Sequence, residues 1–184
     1  PSGKLPFSIM AKLTDYPAHQ YGEIGYPGVP DPDAEGKFYE EYKEDVFVGY
    51  RYADKAKVTP TFPFGHGLSY TTFDFSNITL HQTLDTLPLT LTVTNTGKVA
   101  GAEVVQVYVG ENKPTVARPK KELKAFTKVY LEPGESKTVS LTLDPEEWGY
   151  WDEAQHQFVT NPGKYTIYIG SSSRDIRYTE TVKL

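Results

Sequence analysis

The sequence has 184 residues, of which 24 are acidic and 19 are basic, so its formal net charge is −5. This acidic balance argues against a nucleic-acid partner, because no basic surface would neutralise phosphate. No apolar run approaches the roughly 18 residues that a membrane helix needs, so no membrane partner is expected either. A hydrophobic fraction of 38% with 14% aromatic residues predicts a folded chain with one domain, or one domain and part of another.

Residues 1–73 are rich in proline, glycine and tyrosine and show little periodicity. They hold 8 of the 14 prolines, 8 of the 15 glycines and 8 of the 14 tyrosines. Residues 5–9 read as a strand, yet nothing precedes them with which they could pair, and an isolated strand is not stable. Residues 16–36 form a loop longer than compact domains usually carry. We therefore predict a wrapping segment that lies on a protein surface outside this sequence.

From residue 73 onwards the chain alternates apolar and polar residues with a period of two, which predicts strands. The predicted strands are residues 73–80, 87–95, 102–110, 123–131, 136–143, 165–169 and 176–182. Pro-Gly pairs at 133–134 and 162–163 predict tight turns. Asp144 and Pro145 fit the N-cap and first position of a single helical turn. Short strands at this spacing favour an antiparallel β-sandwich of the immunoglobulin or fibronectin-III type.

The sequence offers few residues for catalysis or metal binding. It has no cysteine, which excludes disulfides and thiolate zinc sites. Its four histidines lack the spacing of metal ligands, so neither a metal nor a cofactor is expected. Acidic doublets occur at 40–41, 44–45, 146–147 and 152–153, but neighbouring residues on a strand face apart. We interpret these doublets as solvated charge rather than as the carboxylate pair of a glycosidase.

Three aromatic residues, Trp148, Tyr150 and Trp151, lie close together between two predicted strands. One interpretation is a platform on which a sugar ring stacks. The other is ordinary packing, because aromatic rings in a sandwich usually fill the core or cover its open end.

Several motifs, taken together and in order, resemble the C-terminal end of glycoside hydrolase family 3 enzymes, the β-glucosidase and β-xylosidase group, in members that end in a fibronectin-III-like domain. The resemblance covers essentially the whole chain. The motifs are Pro1-Ser2-Gly3-Lys4-Leu5-Pro6, Val48-Gly49-Tyr50-Arg51-Tyr52, Phe62-Pro63-Phe64-Gly65-His66-Gly67-Leu68-Ser69-Tyr70-Thr71, Val93-Thr94-Asn95-Thr96-Gly97, Gly101-Ala102-Glu103-Val104-Val105-Gln106, Pro119-Lys120-Lys121-Glu122-Leu123-Lys124 and Gly170-Ser171-Ser172-Ser173-Arg174-Asp175-Ile176.

The resemblance implies a (β/α)8 barrel and an α/β sandwich domain upstream, which would be the partners of this chain. Residues 1–73 would be the terminal strand and irregular tail of the α/β sandwich domain, and residues 74–184 the fibronectin-III-like domain. The nucleophilic aspartate and the acid/base glutamate of the family would both lie upstream, so no catalytic residue is expected here and the chain alone should be inactive. The implied reaction is retaining, exo-acting hydrolysis of terminal β-linked sugars, most simply by a β-glucosidase. The implied location is periplasmic or secreted.

The resemblance gives this chain a structural role, as a buttress for the α/β sandwich domain. Residues 46–67 are interpreted as a loop that reaches the edge of the substrate cleft, with Tyr50, Arg51, Phe64 and His66 as the candidate contacts. Packing between domains is the competing interpretation of the same aromatic residues. An alternative from another class is a free-standing immunoglobulin-like module that binds carbohydrate, or an adhesion module whose first strand is donated to a neighbour.

Overall fold

A computed structural model describes residues 1–83 and 85–184. The first part contains 3₁₀ turns at Leu13–Asp15 and Pro17–Ile24, the short strands β1 (Val29–Pro30) and β2 (Phe38–Tyr39), and one helix, α1 (Gly49–Ala56). The second part contains β3 (Phe73–Leu80), β4 (Leu87–Asn95), β5 (Gly101–Glu111), β6 (Glu122–Leu131), β7 (Ser136–Leu143), a 3₁₀ turn at Pro145–Trp148, β8 (Tyr150–Asp152), β9 (Gln157–Val159), β10 (Lys164–Gly170) and β11 (Ile176–Lys183).

Two antiparallel sheets form the sandwich. One has the strand order β11-β10-β5-β6 and the other β3-β4-β7. Strand β4 shows why they pack, since its leucines and Val93 are at most 2% exposed while its threonines lie on the opposite face. The apolar inner faces of the two sheets meet in one core, which confirms the predicted mainly β, fibronectin-III-like sandwich.

The seven predicted strands all form, with ends that differ by no more than one residue from the prediction. The single helical turn also forms, and the Asp144 carboxylate accepts a hydrogen bond of 2.8 Å from the Glu146 amide. The hairpin of β8 and β9 was not predicted, because each strand has only three residues. The interpretation of residues 46–67 as a loop is wrong where α1 lies, since eight residues are too few to establish a helical period.

The expectation that residues 5–9 lack a partner in this chain is also wrong. The Leu5 amide donates to the His66 carbonyl (2.8 Å), and Ile9 and Phe62 exchange both backbone hydrogen bonds (2.8 and 3.1 Å). The Lys4 ammonium lies 2.6 Å from the Glu103 carboxylate on β5. The opening segment therefore pairs with a later segment of the same chain.

Asn95, at the end of β4, joins both sheets through one fully buried amide. Its oxygen accepts hydrogen bonds from the Thr71 hydroxyl (2.6 Å) and the Gly97 amide (3.0 Å). Its nitrogen donates to the carbonyls of Val99 (2.8 Å) and Leu131 (3.1 Å). Every hydrogen-bonding position of this side chain is thus occupied, as a buried amide requires.

We predict that Asn95→Ala lowers the free energy of unfolding by about 2–4 kcal/mol, because it leaves several buried partners unpaired. Asn112→Ala, at an exposed asparagine on the sandwich rim, is the matched control and should change it by less than about 0.5 kcal/mol. Urea denaturation of both variants checks this, and equal losses would contradict it.

Candidate functional site at the junction of the two parts

Strand β5 is buried on both faces, although an antiparallel sheet commonly leaves one face to water. Val105 and Val107 point into the sandwich core and are fully buried. Gln106 and Tyr108 point to the outer face, yet they are only 3% and 0% exposed. Residues from the first part cover this outer face, so the junction between the two parts has a buried, partly polar interior.

The Gln106 amide lies at the centre of the junction. Its nitrogen donates to the carbonyls of Ser171 (2.6 Å) and Gly65 (3.3 Å), and its oxygen accepts from the Tyr108 hydroxyl (2.5 Å). Gly65 has a φ of +80°, and a Cβ there would come within 2.2 Å of the Gln106 oxygen. Only glycine fits, because the turn needs positive φ and a close approach at the same residue. Burial, and then the neighbouring Tyr50, raises the pKa of the Tyr108 hydroxyl.

A buried ion cluster ties α1 to the strand region. Asp54 on α1 forms a salt bridge with Lys121, and its second oxygen lies 3.2 Å from the Arg174 guanidinium. The side chains of Asp54 and Lys121 are 4% and 5% exposed. Burial lowers the pKa of Lys121, and its hydrogen bond to Asp54 opposes that shift. Arg174 also donates to the Val58 carbonyl (3.0 Å), just after the helix.

A second ion cluster, around Arg118, also lies near the C-terminal end of β5. The guanidinium is 9% exposed and contacts the carboxylates of Glu111 (3.2 Å) and Glu122 (2.9 Å). It also donates to the Trp148 carbonyl (2.7 Å). Arg51 on α1 reaches Glu122 at 3.0 Å, so the helix joins this cluster as well.

Three of the four candidate cleft residues belong to the junction. The Tyr50 ring lies 4.8 Å from the Phe64 ring, and its hydroxyl accepts from the Leu123 amide (2.9 Å). Arg51 pairs with Glu122, and the Phe64 carbonyl accepts from the Ser173 amide (2.9 Å). The structure thus gives Tyr50, Arg51 and Phe64 a packing role. The fourth candidate, His66, is half-buried against the Phe62 ring at 5.4 Å, and its contact with a substrate cleft stays a prediction.

The three candidate stacking residues do not form one platform. Trp148 is 1% exposed and packs on Tyr165 at 5.3 Å, so its selection as a sugar-stacking residue is wrong: the core uses both faces of the ring. Tyr150 is half-buried, with the Arg118 guanidinium 5.9 Å from its ring centre. Trp151 remains 50% exposed and meets Phe158, which the sequence interpretation had not included.

The exposed surface of the first part carries apolar as well as charged side chains. Many of its large hydrophobic residues are exposed: Phe7, Leu13, Tyr21, Tyr26, Phe38, Tyr39, Tyr42, Val46, Val48, Phe62, Leu68 and Tyr70. Such a concentration is typical of a surface that another protein surface covers. Within residues 1–83 and 85–184 there is no group of three or more potential metal ligands. The same residues contain no helix that is long and apolar enough to span a membrane.

Sequence reasoning missed Asp54, Gln106, Arg118 and Lys121, the residues that hold the junction together. A usable signal was present, because residues 104–109 run almost without alternation, as expected for a strand covered on both faces. The partners of these four residues lie between 2 positions away (Tyr108 from Gln106) and 120 positions away (Arg174 from Asp54), and no local pattern specifies the more distant ones.

We predict that Asp54→Ala lowers the free energy of unfolding by about 3–5 kcal/mol, because it leaves the Lys121 ammonium buried without a partner. The double variant Asp54→Leu/Lys121→Met should recover most of this loss, since it removes both charges. Glu41→Ala, in the exposed pair with Lys43 at 3.1 Å, is the control and should cost only about 0–1 kcal/mol. Urea denaturation compares all three, and a double variant as unstable as Asp54→Ala would contradict the account.

The Asp175 carboxylate makes the stability of the fold depend weakly on pH in the acid range. Burial alone would raise its pKa, but hydrogen bonds from Ser171 and Arg177 outweigh this and hold the pKa below its usual value. The resulting stabilisation is complete above the pKa of the unfolded chain, near 3.8, and is lost as pH falls through the lower folded pKa. Asp175→Asn should therefore be less stable than the parent at pH 6, with a difference that shrinks between about pH 4 and pH 2. Urea denaturation of both proteins across this pH range tests the prediction. A difference in the free energy of unfolding that does not change with pH would contradict it.

Comparison with known proteins agrees with this architecture. The family model for the fibronectin type III-like domain matches residues 103–173. A β-glucosidase of Bacteroides ovatus is 50% identical over 98% of this chain, which covers 24% of that protein. An exo-α-(1→6)-L-arabinopyranosidase of Bifidobacterium breve is 46% identical over 100% of this chain, which covers 23% of that protein.

Solved structures give the same result. A β-glucosidase of Streptomyces venezuelae in complex with D-glucose superposes with a TM-score of 0.89 at 42% identity, and this chain covers 23% of it. A GH3 β-glucosidase of Bifidobacterium adolescentis superposes with a TM-score of 0.90 at 42% identity, and this chain covers 26% of it. The chain thus spans about a quarter of the length of the proteins it matches. Over its whole length the chain corresponds to the C-terminal, fibronectin-III-like part of glycoside hydrolase family 3 enzymes.

Proposed function

We propose that this chain is the C-terminal portion of a retaining, exo-acting β-glycosidase, most simply a β-glucosidase, and that it buttresses the domains that carry the chemistry. Relatives at 50% and 43% identity, from Bacteroides ovatus and Acetivibrio thermocellus, are named β-glucosidases. The match extends through residues 1–73 as well as the sandwich, since these relatives align over 98% and 100% of this chain.

The observation that carries the buttress role is the combination of buried contacts and exposed aromatic side chains in residues 1–73. Buried contacts fix them to the sandwich: the Gly65 and Phe64 carbonyls accept from Gln106 and Ser173, and Asp54 pairs with Lys121. The same residues also leave many aromatic side chains exposed. A segment built in this way links the sandwich to a further body, for which we propose the α/β sandwich domain of the same enzyme.

The three carboxylates of the two ion clusters at the junction are unsuited to acid/base chemistry. Asp54, Glu111 and Glu122 each lie within an ion pair with a lysine or arginine. Each of them serves packing, and none faces an open cleft with a second free carboxylate at the separation that glycoside hydrolysis needs. We therefore propose that the nucleophile and the acid/base both come from the preceding domains.

The choice of sugar is proposed to lie outside this chain. Relatives of nearly equal identity are named a β-glucosidase and an exo-α-(1→6)-L-arabinopyranosidase, so similar C-terminal parts accompany different specificities. We propose that the junction influences the cleft through residues 62–68. That segment is held by Leu5, Gln106 and Ser173 and presents His66 at its turn. The periplasmic or secreted location stays a prediction.

A free-standing binding module is the weaker candidate. An adhesion module would donate its opening strand to a neighbour, whereas residues 5–9 pair with residues 62–66 of the same chain. The stacking platform of a carbohydrate-binding module would also lose Trp148, which is buried in the core.

The buttress role predicts that the full-length enzyme loses activity and thermal stability when residues 1–184 of this chain are deleted. The remaining domains would expose the surface that the aromatic side chains of residues 1–73 cover. Hydrolysis of an aryl β-glucoside and the melting temperature of both forms are the measurements. This chain alone should release no aglycone. Unchanged activity and melting temperature after deletion would refute the buttress, and turnover by the isolated chain would refute the assignment of catalysis to other domains.

A further inference from the structure

The hairpin of β8 and β9 presents two large aromatic side chains that the sandwich core does not use. Trp151 and Phe158 are directly opposite each other in the register, so both rings lie on the same face of the hairpin. They are 50% and 71% exposed. Their ring centres are 5.4 Å apart and their planes meet at 73°, which makes an apolar corner open to solvent.

Buried contacts at the base of the hairpin hold this corner in place. Arg118, itself 9% exposed, donates to the Trp148 carbonyl at 2.7 Å, and the Trp148 ring is buried against Tyr165. The Thr160 hydroxyl donates to the Pro145 carbonyl at 3.0 Å and closes the base of the hairpin. At the other end the Asp152 carboxylate accepts hydrogen bonds from the amides of residues 154 and 155 (2.9 and 3.0 Å) and fixes the turn. Exposed rings on a pre-organised support lose little entropy when they bind a ligand.

A groove of about 400 Å³ runs beside the corner, lined by Pro145, Glu146, Phe158 and Thr160. The charged residues between 145 and 160 are all acidic, namely Glu146, Glu147, Asp152 and Glu153. This acidic stretch disfavours anionic polymers as partners, although the Lys124 ammonium on β6 donates to the Glu147 carbonyl at 2.7 Å. The combination of aromatic faces with carboxylate acceptors fits a neutral, polyhydroxylated ligand that also has apolar C–H faces.

We propose that this hairpin is a secondary binding site for a neutral β-linked glucan chain. A pyranose ring packs its C–H face on the indole of Trp151, and Phe158 borders it at the corner. Ring hydroxyls donate to the Glu146 carboxylate along the groove. The choice of glucose units rests on the proposed function, whereas the class of ligand, a neutral carbohydrate, rests on the chemistry of the hairpin.

The test uses the full-length enzyme that contains this chain, in native gels cast with and without soluble mixed-linkage β-glucan. The parent enzyme should be retarded by the glucan, and Trp151→Ala should weaken the apparent affinity about fivefold to tenfold, as truncation of an aromatic contact residue does. Phe158→Ala should weaken it less, and Trp151→Phe should keep part of it. The values of kcat/KM on a small aryl glucoside should be unchanged in all variants, because that substrate does not reach the hairpin.

Phe126→Ala, at a phenylalanine of β6 that is 66% exposed, is the matched control and should be retarded like the parent. The proposal would be overturned if the glucan did not retard the parent enzyme, or if Trp151→Ala kept the parent's affinity. It would also be overturned if Phe126→Ala lost as much affinity for the glucan as Trp151→Ala. So would protection of Trp151 from acrylamide quenching in the full-length enzyme, since another domain would then cover the corner. If the enzyme is retarded by the glucan but has no glycosidase activity, the proposed function is refuted and the glucan site is supported. If it is active but not retarded, the glucan site is refuted and the proposed function is supported.

Discussion

The burial of the outer face of β5 is the constraint on which the rest of this structure depends. A strand covered on both sides must satisfy its outward polar groups within the protein. Gln106 does so with the carbonyls of Gly65 and Ser171, from two other segments, and with the hydroxyl of Tyr108 on the same strand. The backbone of residues 62–66 is thereby fixed against the sheet, and the opening residues pair with that backbone. Residues 1–73 and the sandwich consequently share one buried polar interior, which suits a part that supports a neighbouring domain.

The sandwich itself was predictable from the sequence. Strands such as β4 alternate, as residues 87–93 do, because one face of β4 meets the core and the other meets water. The helical turn after Asp144 was predictable for a similar reason: a capping carboxylate and a proline act locally. The family was evident from motifs spread over the chain, and the comparisons confirm it. Local rules therefore supplied the architecture.

The junction was not predictable, because its contacts join residues far apart in sequence. Asp54 and Lys121 look like ordinary surface charges in the sequence, yet each is almost fully buried by the other part of the chain. Tyr50 and Phe64 were selected as candidate cleft residues for their aromatic character, and they turn out to pack against each other. Trp148 and Trp151 are three residues apart, but one fills the core and the other faces solvent. The residue type alone does not distinguish a tryptophan in the core from one at the surface, because the position in the three-dimensional fold decides which of the two is buried.

Native-state hydrogen exchange tests the central claim most directly. The amides of Leu5, Ile9, Phe62 and Gly65 donate hydrogen bonds within residues 1–73, where Gln106 and Ser173 of the other part bind the carbonyls of Gly65 and Phe64. If both parts form one cooperative unit, these amides should exchange with the same opening free energy as the core amides of β5. Fast exchange at all four amides, with β5 still protected, would show that residues 1–73 detach from a sandwich that is stable without them, and would contradict the account.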